Sequence, residues 1–276
     1  MWKSLCVGVA ALTFMFACDR SGELGNGHKV TQPRELTGFT RVENRTPLDV
    51  EVREASAESV TLTLDENLLP FVITRVSGET LFIENTTNLL YSGEGRVVAT
   101  LPRFLGAGNA GSGDFLVEGV TQSNALTFEL SGSGGMAYCG PASRLTVNLP
   151  GSGNMTLCTP REQVLEEVRL GLSGSGSLTY DGSTASMVAL LEGSGGMSLT
   201  GSAPRLVARV TSSGGLEARG LISSEAELDL TGSGNMSATV DTTATVHIDG
   251  SGSVDLWGNA TLRDMRITGS GSLRRH

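Results

Sequence analysis

The chain has 276 residues, with 20 lysines and arginines against 29 aspartates and glutamates, for a formal net charge of −9 at pH 7. Its cations gather into no stripe, so the electrostatic footprint of a nucleic-acid binder is missing, and the acidity mainly serves solubility.

Residues 1–17, MWKSLCVGVAALTFMFA, hold one early cation, Lys3, and then an apolar run of 13 residues from Leu5 to Ala17. A bilayer span needs about 20, so the run fits the core of a cleaved export signal. Met15-Phe16-Ala17-Cys18 places a cysteine directly behind a small residue, which resembles a bacterial lipobox. The resemblance implies a diacylglycerol on Cys18 and cleavage ahead of it. Acyl chains would then hold the mature protein on a membrane face without crossing it. Asp19 is similar to the signal that retains enteric lipoproteins at the inner membrane. The expected location is therefore the cell envelope: outer membrane, cell surface or periplasmic face of the inner membrane.

Residues 18–35, CDRSGELGNGHKVTQPRE, are polar and without periodicity. They read as a flexible tether, spanning roughly 25 Å on average. From residue 36 to 108 the chain is strand-like but irregular, with LDVEVRE from Leu48, SVTLTLD from Ser59, FVITRV from Phe71, TLFIEN from Thr80 and RVVATLP from Arg96. These are expected to be less regular coils that cap the segment behind them and form one continuous domain with it.

Residues 109–276 repeat. Aligned on a serine between small residues, the motif recurs at Ser112, Ser133, Ser152, Ser175, Ser194, Ser213, Ser233, Ser251 and Ser270, at spacings of 18 to 23 residues. A period near 20 marks a solenoid, in which each coil buries its apolar face only by stacking on its neighbours. Three residues before the serine stand Leu130, Leu149, Leu172, Leu191, Val210, Leu230, Ile248 and Ile267; three after stand Phe115, Met136, Met155, Leu178, Met197, Leu216, Met236, Val254 and Leu273. Positions five away are also apolar, and those between are mostly polar. This is the period of two that marks strands.

Odd offsets should face inward and even offsets outward. The glycines beside each serine then fall inward, where a side chain would collide and where glycine allows a bend or a positive φ. The serines should stand outside, about 4.8 Å apart from coil to coil. A second corner is expected in DGSTAS from Asp181, GSAPR from Gly201, GLISS from Gly220 and WGNAT from Trp257. The longest interval holds CTPREQVLEEVRL, Cys158 to Leu170, whose extra residues are expected to loop outward near Glu162 to Glu167 as one helical turn.

The order of irregular strands, then VVATLPRFLGAGNAGSGDF, then coils carrying LSGSGGM and LTGSGNM, resembles the bacterial auto-transporter adhesin head GIN domain family. The resemblance covers nearly everything behind the tether. It implies an all-β fold, a right-handed parallel β-helix or β-solenoid with coils of about 19–20 residues, and an adhesive or binding role in the envelope. No series of strands long enough for a membrane barrel follows the solenoid, so lipid anchoring stands in for self-secretion.

Candidate chemistry is sparse. The Gly-Ser-Gly runs lack the lysine of a phosphate loop and lead into strands, not helices. Calcium-binding solenoids need recurring aspartates, whereas Asp114 is matched elsewhere by Gly135, Asn154, Ser177, Gly196, Gly215, Asn235 and Ser253. No metal and no cofactor is therefore expected. Cys139 and Cys158 both lie six residues behind their serines in adjacent coils, a stacking distance that suits a disulfide in an oxidising compartment. An outward column, Arg209, Asp229, His247 and Arg266, would serve acid/base work on an acidic sugar. Alternatively it is a solvated ladder of alternating charge, worth little per pair. The reading adopted is a lipid-anchored, non-catalytic binding or adhesion module whose partner is a cell-surface glycan or protein. A carbohydrate-active β-helix enzyme and a purely structural envelope protein are the alternatives. The strand edges left at Leu273 leave self-association open.

Overall fold

A computed structural model describes residues 22–276; the expected export signal and the expected acylation site, Cys18, lie outside the described residues. The chain winds into a β-solenoid whose long walls are parallel ladders. One wall runs through Asn124–Leu130, Ala142–Leu149, Glu167–Leu172, Ser186–Leu191 and Arg205–Val210. The other runs through Met136–Cys139, Asn154–Cys158, Ser177–Thr184 and Gly196–Ser202. Farther on the pairing continues around the second corner, and Gly215–Gly232 and Asn235–Gly250 each run from one wall to the next as a single strand, with register shifts between Ala218 and Ile222 and between Ser223 and Glu225.

The alternating pattern explains the core. Leu130, Leu149, Leu172, Leu191, Val210, Leu230 and Ile248 stack on one another, buried, and Met136, Met155, Leu178, Met197, Leu216, Met236 and Val254 do so across the interior. Each such side chain contributes about 1.5–3 kcal/mol of burial. Phe104, Phe128 and Tyr138 form the largest ring cluster, with centroids 5.1 to 6.4 Å apart. The Tyr138 hydroxyl donates to the Pro141 carbonyl at 2.7 Å, which satisfies the one polar atom that side chain takes inside.

The glycines of the corners are required by stacking. A Cβ on Gly132 would press into the carbonyl oxygen of Gly111 in the coil before, and the same holds for Gly151 on Gly132, Gly174 on Gly151 and Gly193 on Gly174. The expected reasons therefore change: the obstacle is the neighbouring backbone, and of these first glycines only Gly232, Gly250 and Gly269 have positive φ, at 112°, 131° and 100°. In the motif VTSSGG the first glycine is replaced by Ser212, which the corner accommodates with its hydroxyl donating to the Gly193 carbonyl of the coil before.

The second corner is more than a turn. Gly182 and Ser183 pair with Gly201 and Ser202, and these pair with Leu221 and Ile222, making a short third ladder. Thr184, Ala203, Leu221 and Val240 point inward there and are buried. The long interval likewise holds no helical turn. Val164–Leu165 is a strand paired with Ser183 and Thr184, because Leu165 fills the interior at 1% exposure. Gln163 closes the corner by donating through Nε2 to Ser123 Oγ at 2.7 Å and to the Ala142 carbonyl at 2.8 Å.

The stack does not begin where the chain does. Asp49–Glu54 lies between Phe115–Glu118 on one side and Arg96–Leu101 on the other, and Arg41–Asn44 lies between Gly106–Asn109 and Thr80–Asn85. The chain thus enters one coil inside the end, builds the outermost coil from residues 80–101, and then returns to wind the regular repeats. Antiparallel strands cover that end. Ser59–Asp65 pairs with Arg96–Leu101, Lys29–Arg34 pairs with Ser59–Asp65, and Val72–Ser77 pairs with Thr80–Asn85. A 3-10 turn, Glu66–Phe71, plugs it with Leu68 and Leu69. The expected tether to Glu35 is therefore shorter within the described residues, because Lys29–Arg34 belongs to the sheet. At the other end Met265 and Ile267 are 52% and 40% exposed, whereas Val246 and Ile248 one coil earlier are at 0% and 1%.

Candidate functional site

Every motif serine, from Ser112 to Ser270, is exposed, so the corners present a row of hydroxyls along the solenoid. The row alone is uniform. A groove of about 770 Å³ forms where it meets the capped end. Its floor is the corner stack, with Ser112, Ser131, Ser133 and Ser152, and its far wall is the segment Asn88 to Leu90. That segment is held up by the N-terminal residues: Glu23–Leu24 pairs in parallel with Leu89–Leu90, and Glu23 N–H donates to the Asn88 carbonyl at 2.8 Å. A smaller depression of about 280 Å³ continues past Pro150, over Gly171, to Leu190 and Glu192.

The cation at the groove, Arg45, is already neutralised. Its guanidinium donates to Glu43 at 2.6 Å and to Glu84 at 2.7 Å, and it lies 4.9 Å from the centre of the Phe82 ring. Arg75 also donates to Glu84, at 3.0 Å, and its hydrogen bond is the main reason the Glu84 carboxyl lies below its ordinary range.

Beneath this groove two buried asparagines replace the leucines of later coils. Asn44 and Asn109 are 0% and 1% exposed, and Asn44 Nδ2 donates to Asn109 Oδ1 at 3.1 Å. Asn109 also donates to the Gly113 carbonyl at 2.8 Å and accepts from Gly111 N–H at 3.2 Å. The sequence carries a signal for it: Asn109 is a polar residue in a column that is otherwise apolar.

The outward column comes together as a ladder. Arg209, Asp229, His247 and Arg266 are register partners in successive coils. Arg209 Nε donates to Asp229 Oδ2 at 3.0 Å, and His247 Nδ1 lies 3.2 Å from Asp229 Oδ1. Two members lie outside the column that the spacing marks: Glu227, 2.8 Å from Arg209 Nη2, and Asp264, 3.1 Å from His247 Nε2. Both reach diagonally from the next column, and a bulge between Ala244 and Thr245 shifts the register around Asp264. The hydrogen bond to Asp264, then the charge of Asp229, raises the His247 pKa above 6.5, and the same bond lowers that of Asp264. Both ring nitrogens face carboxylates, so the imidazole has no nitrogen turned toward a substrate. That is the geometry of a surface charge ladder.

Cys139 and Cys158 are register partners on adjacent coils. They form a disulfide with Cα atoms 4.5 Å apart. Asp114 stands at the expected outward position, where its Oδ1 accepts the Gly135 N–H at 2.8 Å. Among the described residues no helix is long and apolar enough to cross a membrane.

Over residues 38–160 and 161–260 the sequence matches a family described as "Putative auto-transporter adhesin, head GIN domain". Comparison with curated proteins found no match. Among solved structures, a "putative adhesin" from Parabacteroides merdae superposes with a TM-score of 0.68 at 18% identity, covering 93% of this chain and 100% of that one. A second, from Parabacteroides distasonis, gives 0.67 at 16%, covering 92% and 99%. A "putative lipid binding protein" from Parabacteroides distasonis gives 0.65 at 21%, again covering 92% and 99%. At these identities the likeness is one of fold.

Proposed function

The chain belongs to the auto-transporter adhesin head GIN domain family, and on that premise we propose that it is a non-catalytic binding module of the cell envelope, anchored by acyl chains on Cys18. The observation that carries the binding role is the groove at the capped end, an open concavity over a row of exposed hydroxyls. Names of the structural neighbours, two adhesins and a lipid-binding protein, agree with binding and not turnover. The enzyme alternative is disfavoured by His247, whose two nitrogens are both occupied by carboxylates.

The short lead into the sheet sharpens the anchoring. Between Cys18 and Gly22 an extended chain reaches at most about 14 Å. An acylated Cys18 would therefore hold the capped end, and the groove with it, close to the membrane. A partner within the cell's own envelope fits that placement better than one on a distant surface.

Two measurements test the reading. Metabolic labelling with a fatty acid should mark the protein and should fail in Cys18→Ala. Detergent-solubilised full-length protein, screened against envelope glycans, host glycans and intact cells, should show saturable binding without product. Turnover of a polysaccharide would favour the enzyme, and absence of all binding would favour a purely structural protein.

A further inference from the structure

Resting on that reading, we propose that the groove at the capped end takes an uncharged linear glycan lying along the solenoid axis. Its lining crosses five coils, those of Asn85, Arg45, Ala110, Ser131 and Pro150. At about 4.8 Å per coil this is a trough about 19 Å long, open along its length and continued by the depression beyond Pro150. A trough of that shape suits a chain molecule better than a compact one.

The lining chemistry narrows the class. The hydroxyls of Ser112, Ser131, Ser133 and Ser152 are exposed and engaged by no other described residue. Serines off the row are tied up, with Ser177 donating to Asn154, Ser253 to Asn235 and Ser202 to Ser183. Along the row the hydroxyls beyond the groove are exposed like those within it, and what sets the groove apart is the wall and the apolar surface beside them. A hydroxyl both donates and accepts, so a row of them matches a ligand that is itself hydroxyl-rich. Pro47, Pro150, Leu89 and Leu90 lie among them, giving apolar surface for the CH faces of sugar rings.

Charge excludes the competing ligands. A phosphate or a uronate needs an available cation, and Arg45 is held by Glu43 and Glu84. The continuing depression adds a carboxylate, Glu192, and no base. An added peptide strand needs an open edge, whereas the corner N–H groups already donate to the preceding coil: Gly132 to Asn109, Gly151 to Leu130 and Gly174 to Leu149. The wall at Leu89–Leu90, propped by Glu23–Leu24, turns a uniform row into a site.

The test is calorimetry on detergent-solubilised full-length protein with cellohexaose, xylohexaose and chitohexaose, and with a galacturonic acid hexamer of equal length. At least one uncharged hexamer should bind with a dissociation constant below about 1 mM, unchanged by salt. Ser133→Trp and Ser152→Trp, which fill the trough from exposed positions, should weaken it at least tenfold while leaving the melting temperature in place. Ser251→Trp, on the same row beyond the groove, should not. The proposal is overturned if no uncharged hexamer binds, if the galacturonate hexamer binds more tightly and in a salt-sensitive way, or if Ser251→Trp is as damaging as Ser133→Trp. In each of those cases retention of some other envelope component in the wider screen would leave the binding-module reading standing.

Discussion

Replacing Gly174 by alanine tests the claim that coil stacking, and not conformational freedom, dictates the corner glycines. The new Cβ would press into the Gly151 carbonyl oxygen and lie 2.6 Å from that of Pro150, where ordinary contact begins at 3.4 Å. Both obstacles are backbone of a coil locked into its own ladder, so the corner must lift. Overpacking of this kind costs about 1–3 kcal/mol. Lifting also strains the bonds from Ser173 and Gly174 N–H to the Leu149 carbonyl, at 3.1 and 3.2 Å, each worth about 1 kcal/mol net. The unfolded chain loses freedom with alanine, which returns about 0.4–1 kcal/mol. The balance is a loss of about 2–4 kcal/mol, or roughly 4–16 °C in melting temperature for a domain of this size. Gly196→Ala is the internal control. That glycine faces outward, and a methyl group added to it would meet nothing within 4 Å, so alanine should be neutral or stabilising by up to about 1 kcal/mol. Thermal and urea unfolding of the two variants, followed by circular dichroism, decides the matter. A Gly174→Ala protein as stable as the parent, or a Gly196→Ala protein equally damaged, would refute the stacking argument.

Asn109→Leu, although it restores the apolar column, should destabilise the protein by about 2–4 kcal/mol, because buried backbone groups left unpaired cost about 1–3 kcal/mol each; Gly111 N–H and the Gly113 carbonyl lose their partners. Urea midpoints would show it, and a more stable variant would count against the buried amide. Cys139→Ser should lower stability by about 3 kcal/mol, the expected value for a loop near 15 residues, against a separation here of 19; unreduced peptide mass spectrometry should find the pair linked in exported protein. For His247 the folded pKa lies above the ordinary histidine value of 6.5, so the stabilisation it brings is complete below that value and fades as pH rises through the folded pKa. NMR titration of the imidazole should give a midpoint above 6.5, and Asp264→Asn should bring it down; an unmoved midpoint would show that Asp264 is not the main partner.

Much of this architecture is legible in order along the chain. The period near 20, the inward columns and the outward serines all repeat at fixed offsets, and a parallel stack converts equal offset into spatial contact. Cys139 and Cys158 can be paired in expectation for that reason, since each sits six residues behind its serine. Corner composition is legible too, but its cause is not: the carbonyl that excludes a Cβ from Gly174 belongs to Gly151, and only the relative height of two coils shows it. Where composition is weighed above position the expectation fails. DGSTAS looks like a turn, yet its backbone pairs on both sides, and the charged run before Leu165 hides one residue that the interior claims.

The repeat by itself determined the solenoid, its walls, its buried columns and its row of hydroxyls, because each follows from a residue's offset within one coil. Tertiary structure alone decided where that row becomes a groove. The coil of residues 80–101 stacks outside the coil of 41–54 that precedes it in the chain, and the wall of the groove is a loop of that displaced coil held by residues 23 and 24. The contact of Asp264 with His247 also needed the structure, because Asp264 lies two residues from Arg266, the register partner of His247, and only the diagonal reach of its side chain makes the bond. Offsets describe a stack that follows chain order and say nothing of which diagonal side chains meet; the groove arises where the stacking order departs from the chain.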